Sequence, residues 1–311
     1  MIGIIGGTGF IGINLSWYLQ KEKVPCRTFS RNGLLLDPKS IHSALLNEIE
    51  NVRGDFRDKS AVQSFVQGCR SVVLLVSHLL PSSSTKEIKV TASWFTAAFG
   101  QLLELCRTHQ VEQLVFVSSG GTIYGENTAA TPVTEDYPLN AQSAYGTFCA
   151  LLERMVHAFY HEHGLPFTIL RVGNPYGPLK RPNKDQGLID HYIHSARAGR
   201  AFTLFGDGNE VRDYIYIDDV SESMRRVLQS SAQNSVFNVG TGIGHSTHEV
   251  IRMVKDQFQL PEVQIILQGR RPGEVVCSLL NMDKFEKAYG MRCNTSLSDG
   301  LKEYALLEAA M

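Results

Sequence analysis

The stretch IIGGTGFIG, residues 4–12, joins a short apolar run to a segment whose apolar residues recur with a helical period. Gly6 permits the tight turn after a strand, Gly9 lets the backbone approach a phosphate closely, and Gly12 lets the helix pack near the sheet. The first turn of that helix offers N–H groups and the positive end of its dipole to an anion. The stretch therefore predicts a dinucleotide-binding turn between a first strand and a first helix. The alternative is a glycine-rich turn that only packs.

Short apolar runs alternate with longer segments of helical period through the first half of the chain. Strand-like runs lie at residues 2–5, 72–76, 114–117 and 167–171, and helix-like segments lie at 9–21, 92–107 and 145–162. Such alternation is typical of βαβ units. The sequence therefore predicts the α/β class, with a Rossmann-type doubly wound parallel sheet.

The second half of the chain breaks this rhythm and predicts a second, smaller unit. Residues 174–210 are rich in Pro, Gly, Asn and Asp, and strand-like runs return at 214–217 and 236–239. We therefore predict two domains. They are a dinucleotide-binding domain of residues 1–172 plus about 213–245, and a smaller C-terminal α/β substrate-binding domain of about 173–212 plus 246–311.

Capping residues predict helix starts in this second half. Glu249 follows Ser246 by three residues, and Asp299 follows Ser296 by three residues, which is the spacing of a capping box. The acidic pair at 218–219 is expected to cap the helix that follows it rather than to bind a metal.

The composition limits the classes of function. The chain has 311 residues and a formal net charge of −1, which gives no general reason to expect nucleic acid or an anionic membrane as partner. Its six cysteines form no CxxC pair and no His/Cys cluster with zinc spacing, so we expect reduced thiols and no metal site. Neither a signal peptide nor an apolar run as long as a membrane span is found. We therefore expect a cytoplasmic protein.

The end of the second predicted strand bears on which dinucleotide binds. In NAD-binding domains of this kind a carboxylate about 20 residues after the turn usually holds the ribose 2′-hydroxyl. Here the place reads Ser30-Arg31 and holds no acid. A hydroxyl beside a guanidinium suits a 2′-phosphate, which favours NADP slightly over NAD, although Arg31 could instead stack on the adenine or lie in solvent. Asp55, after the third predicted strand, is placed to hold the adenine amino group or is only a turn residue.

Seven short motifs follow one another along nearly the whole chain. They are GGTGFIG (6–12), FVSSGGTIYG (116–125), AYGTF (144–148), LRVGNPYGP (170–178), GDGNEVRDYIYIDDV (206–220), FNVGTG (237–242) and RRPGE (270–274). In this order and spacing the chain resembles the extended short-chain dehydrogenases/reductases, and among them the NAD(P)-dependent nucleotide-sugar epimerases and dehydratases typified by UDP-glucose 4-epimerase. The resemblance implies NAD or NADP as cofactor, a nucleoside-diphosphate sugar as substrate and a homodimer. The wide apolar arc of 92–107 fits that dimer interface or ordinary packing on the sheet.

The resemblance also implies a catalytic residue, Tyr145. In the family such a Tyr takes the proton of a sugar hydroxyl while a hydride passes to the nicotinamide, and a Lys four residues later lowers the Tyr pKa by its charge. Cys149 stands at that Lys position, and a neutral thiol supplies no positive charge. A Tyr of pKa about 10 is ionised to only about one part in a thousand at neutral pH. We therefore expect an epimerase of reduced activity.

Other positions also depart from the family pattern. Gly120 stands where many epimerases carry a Ser or Thr that binds the reacting oxygen, and Thr122 offers a hydroxyl two residues later. Phe95, or else Trp94, stands where the family has an Asn that braces the active-site helix. Gly121 and Thr122 occupy the positions of the acid pair of 4,6-dehydratases, which argues against dehydration.

The glycine turn, the ends of the predicted strands and the resemblance together give the candidate site. The cofactor set is Gly6, Thr8, Gly9, Phe10, Ile11, Gly12, Ser30, Arg31, Asp55, Phe56, Val76, Ser118 and Tyr145. The substrate set is Ser82, Gly120, Asn174, Arg212 and Arg271. Guanidinium groups suit a diphosphate, but Arg212 could instead pair with Asp213 or Asp207, and Arg271 could be a solvated charge.

Three functions stay open. A nucleotide-sugar 4-epimerase is favoured by the motif set as a whole. An NADP-linked reductase of a nucleoside-diphosphate keto-sugar is favoured by Ser30-Arg31. A catalytically impaired dinucleotide-binding regulatory or partner protein is favoured by Cys149 and Phe95, and is disfavoured by the presence of Tyr145, Asn174, Arg212 and Arg271.

Overall fold

The computed structural model describes residues 1–33, 46–75, 85–179 and 187–309. Val76 and Ser82, which were assigned to the cofactor and substrate sites, lie outside these ranges. Within them the strands form a sheet of seven strands, a smaller sheet of four and a pair of two.

The large sheet is parallel throughout. Its strands are β1 (Ile2–Ile5), β2 (Cys26–Ser30), β3 (Glu50–Arg53), β4 (Ser71–Leu74), β5 (Gln113–Ser119), β6 (Phe167–Val172) and β10 (Ser235–Val239). Their order is β10-β6-β5-β4-β1-β2-β3, so the chain moves outward from β1 to β3, returns to the other side of β1 and moves outward again. Every residue of β1, β4 and β6 is buried, as expected when helices cover both faces. The predicted doubly wound α/β fold is therefore confirmed.

Helices cover the sheet on both sides. Within the described ranges they are α1 (Phe10–Lys21), α2 (Lys59–Val66), α3 (Thr85–Thr108), α4 (Ala144–His163), α5 (Gly187–Arg197), α6 (Ile217–Gln229), α7 (Thr247–Gln257), α8 (Asp283–Tyr289) and α9 (Leu297–Ala309). Helices α1 and α6 pack together against one face, and α2, α3 and α4 pack against the other, which gives two apolar cores. As far as the chain is described, none of these helices combines the length and apolarity needed to cross a membrane.

The smaller sheet gathers strands from the second half of the chain. They are β7 (Asn174–Tyr176), β9 (Val211–Tyr216), β11 (Gly244–Ser246) and β13 (Cys277–Ser278), while β8 (Phe202–Phe205) and β12 (Ile265–Gln268) pair separately. Strand β9 is parallel to β7 and β13 and antiparallel to β11. Because β10 belongs to the large sheet, the chain crosses between the two sheets more than once. The division into two domains stays a prediction.

Two of the predicted helix starts are confirmed. Ser246 Oγ accepts a hydrogen bond from Glu249 N at 3.2 Å, and the Glu249 carboxylate accepts one from Ser246 N at 2.8 Å, which completes a capping box. Ser296 Oγ accepts a hydrogen bond from Asp299 N at 3.1 Å in front of α9. Both helices therefore begin where side chains satisfy the free amides of the first turn.

The prediction that the acidic pair at 218–219 caps a helix is wrong. Helix α6 begins at Ile217, so strand β9 ends one residue earlier than the predicted run. The N-cap of α6 is Tyr216, which makes no side-chain hydrogen bond. Both Asp residues lie inside the first turn. The carboxylate of Asp219 instead accepts a hydrogen bond from Thr295 N at 3.1 Å, which ties α6 to the segment before α9.

The apolar arc of 92–107 is buried within the chain itself. Helix α3 begins at Thr85, earlier than predicted, and it carries the arc into the core between the sheet, α2 and α4. Phe95, Phe99, Leu102 and Cys106 are all fully buried there. Packing on the sheet therefore accounts for the arc, and a homodimer stays a prediction.

A buried ion pair fastens α4 to the large sheet. The Arg171 guanidinium on β6 donates to both carboxylate oxygens of Glu153 on α4, with Nη2 to Oε2 at 2.7 Å, and the two side chains are only 6 % and 2 % exposed. Arg171 also donates to the Tyr124 hydroxyl at 2.8 Å, which in turn donates to Asn238 Oδ1 at 2.6 Å. Burial alone would lower the pKa of Arg171, but Glu153 and Tyr124 more than offset it and the pKa is raised.

We predict that Glu153→Gln destabilises the protein by about 3–5 kcal/mol, because it leaves a buried guanidinium without its counter-charge while keeping the side-chain volume. The matched control is Glu104→Gln on α3, whose pair with Arg107 is about half exposed at 3.0 Å. That substitution should cost no more than about 0.5 kcal/mol. The measurement is urea unfolding of both variants at neutral pH. Equal midpoints for the two variants would contradict the prediction.

Candidate active site

The glycine turn uses its glycines in two different ways. Gly6 has φ +90°, which an L side chain rarely adopts, and Gly9 N donates to Gly6 O at 2.9 Å to close the turn. A Cβ on Gly12 would lie 2.4 Å from Gly6 O, so Gly12 is needed for the close packing of α1 on the turn. A Cβ on Gly9 would meet only Gly6 O, at 3.3 Å. Packing inside the chain therefore requires Gly6 and Gly12, whereas the absence of a side chain at Gly9 leaves room for a ligand.

The N-terminus of α1 is suited to an anion. Gly9 is the N-cap with no side-chain hydrogen bond, and the first turn contains no acidic residue. The amides of the first turn, at Phe10, Ile11 and Gly12, therefore have no side-chain cap and stand at the positive end of the helix dipole. Thr8 is buried beside them, and the side chains of Phe10 and Ile11 pack on the core. These residues fit the pyrophosphate of a dinucleotide.

The ends of β2 and β3 form the neighbouring part of the candidate cofactor site. Asp55 lies just beyond β3 and accepts from Arg57 through the backbone N at 2.9 Å and the guanidinium at 2.6 and 3.0 Å. The hydrogen bond from Arg57 lowers the pKa of Asp55 to about 2. Asp55 thus has the contacts of a turn aspartate, and its contact with adenine stays a prediction. Phe56 is buried, with its ring 5.3 Å from that of Phe95.

Tyr145 lies in the first turn of α4. Ser143 caps this helix by accepting from Gly146 N at 3.0 Å. A Cβ on Gly146 would lie 2.5 Å from Thr122 O, so the loop after β5 touches the helix right beside Tyr145. Thr122 is half-buried and donates to Ser119 Oγ at 2.9 Å. The structure therefore brings two predicted catalytic positions, Tyr145 and Thr122, onto adjoining turns. Ser118, predicted to line the cofactor, is buried, and its hydroxyl has no hydrogen-bond partner in the described structure.

Cys149 follows Tyr145 by one helical turn and lies on the same face of α4. It is 4 % exposed and belongs to an apolar cluster against which Tyr145 packs; the other buried members are Ile123, Tyr124, Val133 and Leu280. Burial raises the pKa of the Cys149 thiol to about 12, and the neighbouring Tyr145 side chain opposes this only in part. The thiol is therefore neutral at physiological pH. Glu153, one turn further along α4, forms an ion pair with Arg171.

The Leu280 side chain lies directly over Gly120. A Cβ on Gly120 would lie 2.5 Å from Leu280 Cδ1 and 3.0 Å from Arg171 O. Leu280 therefore fills the space that a Ser or Thr side chain at position 120 would need. Ser278, which no sequence motif singles out, donates from Oγ to Gly120 O at 3.3 Å. A hydroxyl is present near this turn, but it comes from β13.

Phe95, rather than Trp94, faces the helix that carries Tyr145. Its ring is fully buried and meets the Phe148 ring of α4 edge-on at a centroid distance of 5.5 Å. Trp94 instead lies over the Arg57 guanidinium, 5.6 Å from its Cζ. An aromatic contact thus braces α4 at the place where the family has an amide.

Asn174 and Arg212 lie on neighbouring strands of the smaller sheet. A Cβ on Gly121 would lie 3.1 Å from Asn174 Oδ1, so Asn174 adjoins the loop that carries Thr122. Arg212 donates to Val211 O at 3.0 Å and Val276 O at 3.2 Å, and its Nη2 lies 3.6 Å from Glu274 Oε1.

The ion pairs suggested for Arg212 are not the ones that form. The Asp213 carboxylate accepts from Thr241, Gly242 and Leu280 instead, and Asp207 accepts from Asn209 N.

The RRPGE segment, residues 270–274, lies against the start of α4. A Cβ on Gly273 would lie 2.5 Å from Gln142 O and 3.0 Å from Ser143 Cα. Arg271 within it is exposed, as a solvated charge would be, and its guanidinium carbon also lies 3.8 Å from the centroid of the Phe205 ring. Phe205, at the end of β8, is a neighbour of Arg271 that the sequence analysis did not single out, because no local motif indicates that β8 approaches this segment.

Comparisons with known proteins agree with this geometry. The model of the NAD dependent epimerase/dehydratase family matches residues 2–240. A UDP-glucose 4-epimerase of Mycolicibacterium smegmatis is 29 % identical over 265 residues, covering 85 % of this chain and 84 % of the relative. The crystal structure of a Thermus thermophilus UDP-glucose 4-epimerase in complex with NAD superposes with a TM-score of 0.87 at 27 % identity, covering 99 % of this chain and 98 % of that one. The Thermotoga maritima UDP-glucose 4-epimerase with UDP-glucose gives 0.87 at 26 % identity, with coverages of 98 % and 97 %.

We predict that Gly9→Val abolishes dinucleotide binding while the protein still folds. A Cβ at position 9 meets only the Gly6 carbonyl oxygen, at 3.3 Å, which a small shift of the turn relieves, but the side chain would occupy the place where a phosphate approaches the backbone. Gly12→Val is the matched control, since its Cβ collides with the turn and should lower the melting temperature markedly. Calorimetric titration with NAD and NADP, together with thermal unfolding, separates the two effects. Unchanged affinity in a folded Gly9→Val protein would refute the site.

Proposed function

The chain belongs to the NAD-dependent epimerase/dehydratase family, and we propose that it is a 4-epimerase of a nucleoside-diphosphate sugar that works slowly at neutral pH. The observation that carries this proposal is the position of Tyr145 on the first turn of α4, next to the loop of Thr122, which Asn174 of β7 adjoins, in a chain that also has the glycine turn. UDP-glucose 4-epimerases of similar length and fold, one solved with NAD and one with UDP-glucose, support it.

In this proposal Tyr145 moves the proton. NAD or NADP, held at the glycine turn, would supply reversible hydride transfer to and from the sugar carbon. The Tyr145 phenolate takes the hydroxyl proton in the oxidative half-reaction and gives it back in the reductive half-reaction. Thr122, held by Ser119, offers a hydroxyl on the adjoining turn.

Residues of the second half of the chain would hold the substrate. Arg212 and Arg271 are two guanidinium groups on segments that border the site, and guanidinium groups suit the diphosphate. Asn174 adjoins the loop of Thr122 and offers an amide to the sugar or the phosphates. These assignments require that Arg212 exchange part of its contact with Glu274 for the ligand.

The slow rate follows from the surroundings of Tyr145. A pKa near 7 would require about 4 kcal/mol of differential stabilisation of the phenolate relative to a Tyr of pKa about 10. The family Lys supplies such a charge, but here Cys149 is neutral and packs in an apolar cluster, and Arg171 is paired with Glu153. Phenolate formation therefore receives no help from Cys149.

A second candidate is an NADP-linked reductase of a nucleoside-diphosphate keto-sugar. Ketone reduction needs a proton donor, and a neutral Tyr145 is already one. The absence of an acid at the end of β2, where Ser30 and Arg31 stand, favours this candidate. The regulatory alternative stays open as an outcome of the experiment below.

We predict that interconversion of UDP-sugars by the unaltered protein is slow at neutral pH and rises about tenfold per pH unit towards pH ~10, because only the phenolate of Tyr145 acts as base. Cys149→Lys should place a cation beside the phenol, shift the rise to lower pH and increase turnover at neutral pH. Tyr145→Phe should remove the activity in both backgrounds. The measurement is epimerisation followed against pH in the four proteins.

Cys149→Ser is the matched control, since it is close in size and brings no charge; its pH profile should follow that of the unaltered protein. Circular dichroism checks that the buried Lys is tolerated. Full activity at neutral pH in the unaltered protein, slowed by Cys149→Lys, would show that the thiol has a role of its own. If every variant binds cofactor and none turns over a nucleotide sugar or a keto-sugar, the epimerase proposal fails and the regulatory alternative stands.

A further inference from the structure

Strand β12 carries an apolar run on the surface of the protein. Ile265, Ile266 and Leu267 are 36, 42 and 60 % exposed, and Gln268 is exposed as well. Within the described ranges β12 pairs only with β8, so no strand lies along its other edge. Edge strands are usually protected by a charge, a Pro or a bulge, but β12 contains neither a charge nor a Pro. An edge of this kind favours the addition of a further strand.

The hydrogen bonds between β12 and β8 show which backbone groups face the open edge. The carbonyl oxygens of Gln264 and Gln268 accept from backbone amides of β8 and of the residue that follows it, at 2.8 and 2.9 Å. The backbone groups of successive strand residues point alternately to the two sides of the strand. Those of Ile265 and Leu267 therefore point away from β8 and towards the open edge.

The stretch QIILQ, residues 264–268, has a polar and apolar pattern that is the same in both directions. When it is paired antiparallel with a second copy, Ile266 lies opposite its own counterpart and Ile265 lies opposite Leu267 of the second copy. This register brings the outward backbone groups of Ile265 and Leu267 face to face, as a hydrogen-bonded antiparallel pair requires. A shift of the partner by two residues in either direction would set Ile266 against a Gln.

Charged residues beyond the apolar run favour the same register. Glu262 and Arg270 stand four residues before and four residues after Ile266, so each meets the other's copy across the pair. Both are exposed, and each also pairs within its own chain, Glu262 with Lys255 and Arg270 with Glu210 at 3.2 Å. Exposed ion pairs add little affinity, but opposite charges favour this register over one that places like charges together.

We propose that β12 is a docking edge for a second copy of this chain, so that β8 and β12 of two copies form one four-stranded sheet with a two-fold axis at Ile266. Such an interface is isologous, because the same surface is used twice and the assembly closes on itself. It is a different surface from the arc of 92–107, which is buried within the chain. The contact is short, so we expect a reversible dimer with a dissociation constant of roughly 1–100 μM.

The first experiment measures the mass of the full-length protein by sedimentation at roughly 1–300 μM, a range in which such a dimer forms and dissociates. Ile266→Lys places two ammonium groups opposite each other at the two-fold axis and should raise the dissociation constant at least about tenfold. Val90→Lys on α3 is the matched control, since it puts the same charge at an apolar residue that is 61 % exposed. It should leave the association unchanged. Circular dichroism checks that both variants fold.

The second experiment tests the register by thiol cross-linking. The six native cysteines are all buried, so an introduced thiol on β12 is the accessible one. Opposite residues of a non-hydrogen-bonded antiparallel pair have Cα atoms about 4.5 Å apart, which a disulfide can span. Ile266→Cys should therefore form a covalent dimer with oxidised glutathione, which takes up the two electrons and two protons as two molecules of reduced glutathione. In the matched variant Leu267→Cys the two thiols lie diagonally, with Cα atoms about 7–8 Å apart, and should cross-link far more slowly.

The proposal is overturned by a single-chain mass at every concentration, or by unchanged association of Ile266→Lys. A loss in Val90→Lys as large as that in Ile266→Lys also overturns it, since the effect would then not belong to β12. Cross-linking of Ile266→Cys that is no faster than that of Leu267→Cys overturns the register. No cofactor or substrate enters these measurements, so their outcome does not depend on the proposed function.

Discussion

The pairing of Arg171 with Glu153 is the interaction on which the candidate site depends most. It is the buried, bidentate link between the sheet and the helix that carries Tyr145, and through Tyr124 and Asn238 it reaches β10 at the edge of the same sheet. A buried charge without its partner is costly, so the pair restricts how α4 can shift or rotate against β6. That restriction also limits how far Tyr145 can move along or around the axis of α4 relative to the loop of Thr122.

The departures from the family pattern are physically connected. Leu280 occupies the space that a longer side chain at Gly120 would need, and it belongs to the same apolar cluster as Cys149. On the other side of α4, Phe95 meets Phe148 where an amide is usual. At each of these positions apolar packing stands where the family resemblance implies a polar group. The proposed Cys149→Lys substitution changes only one of these positions and leaves the Leu280 and Phe95 contacts in place.

Local signals predicted much of this structure, and long-range contacts account for the rest. The strand–glycine–helix pattern at 4–12 and the capping box at Ser246 depend on neighbours in sequence, and both are found as expected. The prediction that Asp218 and Asp219 cap α6 was wrong because α6 begins at Ile217, directly after β9. Its N-cap is Tyr216, which makes no side-chain hydrogen bond. The placement of Leu280 over Gly120 and of Phe205 under Arg271 depends on how β13 and β8 return to the site. No spacing between motifs in the sequence predicts these long-range contacts.

The charges of the site are distributed unevenly, and this bears on the direction of the chemistry. Arg31 and Arg53 lie beside Ser30 at the ends of β2 and β3, while Tyr145 packs against the apolar cluster that contains Cys149. Oxidising an alcohol needs a base, whereas reducing a ketone needs an acid, and a neutral phenol is ready only for the second. Epimerisation requires both half-reactions in one site. In the proposed 4-epimerase Tyr145 serves both half-reactions, and the neutral Cys149 thiol beside it contributes no charge to its phenolate.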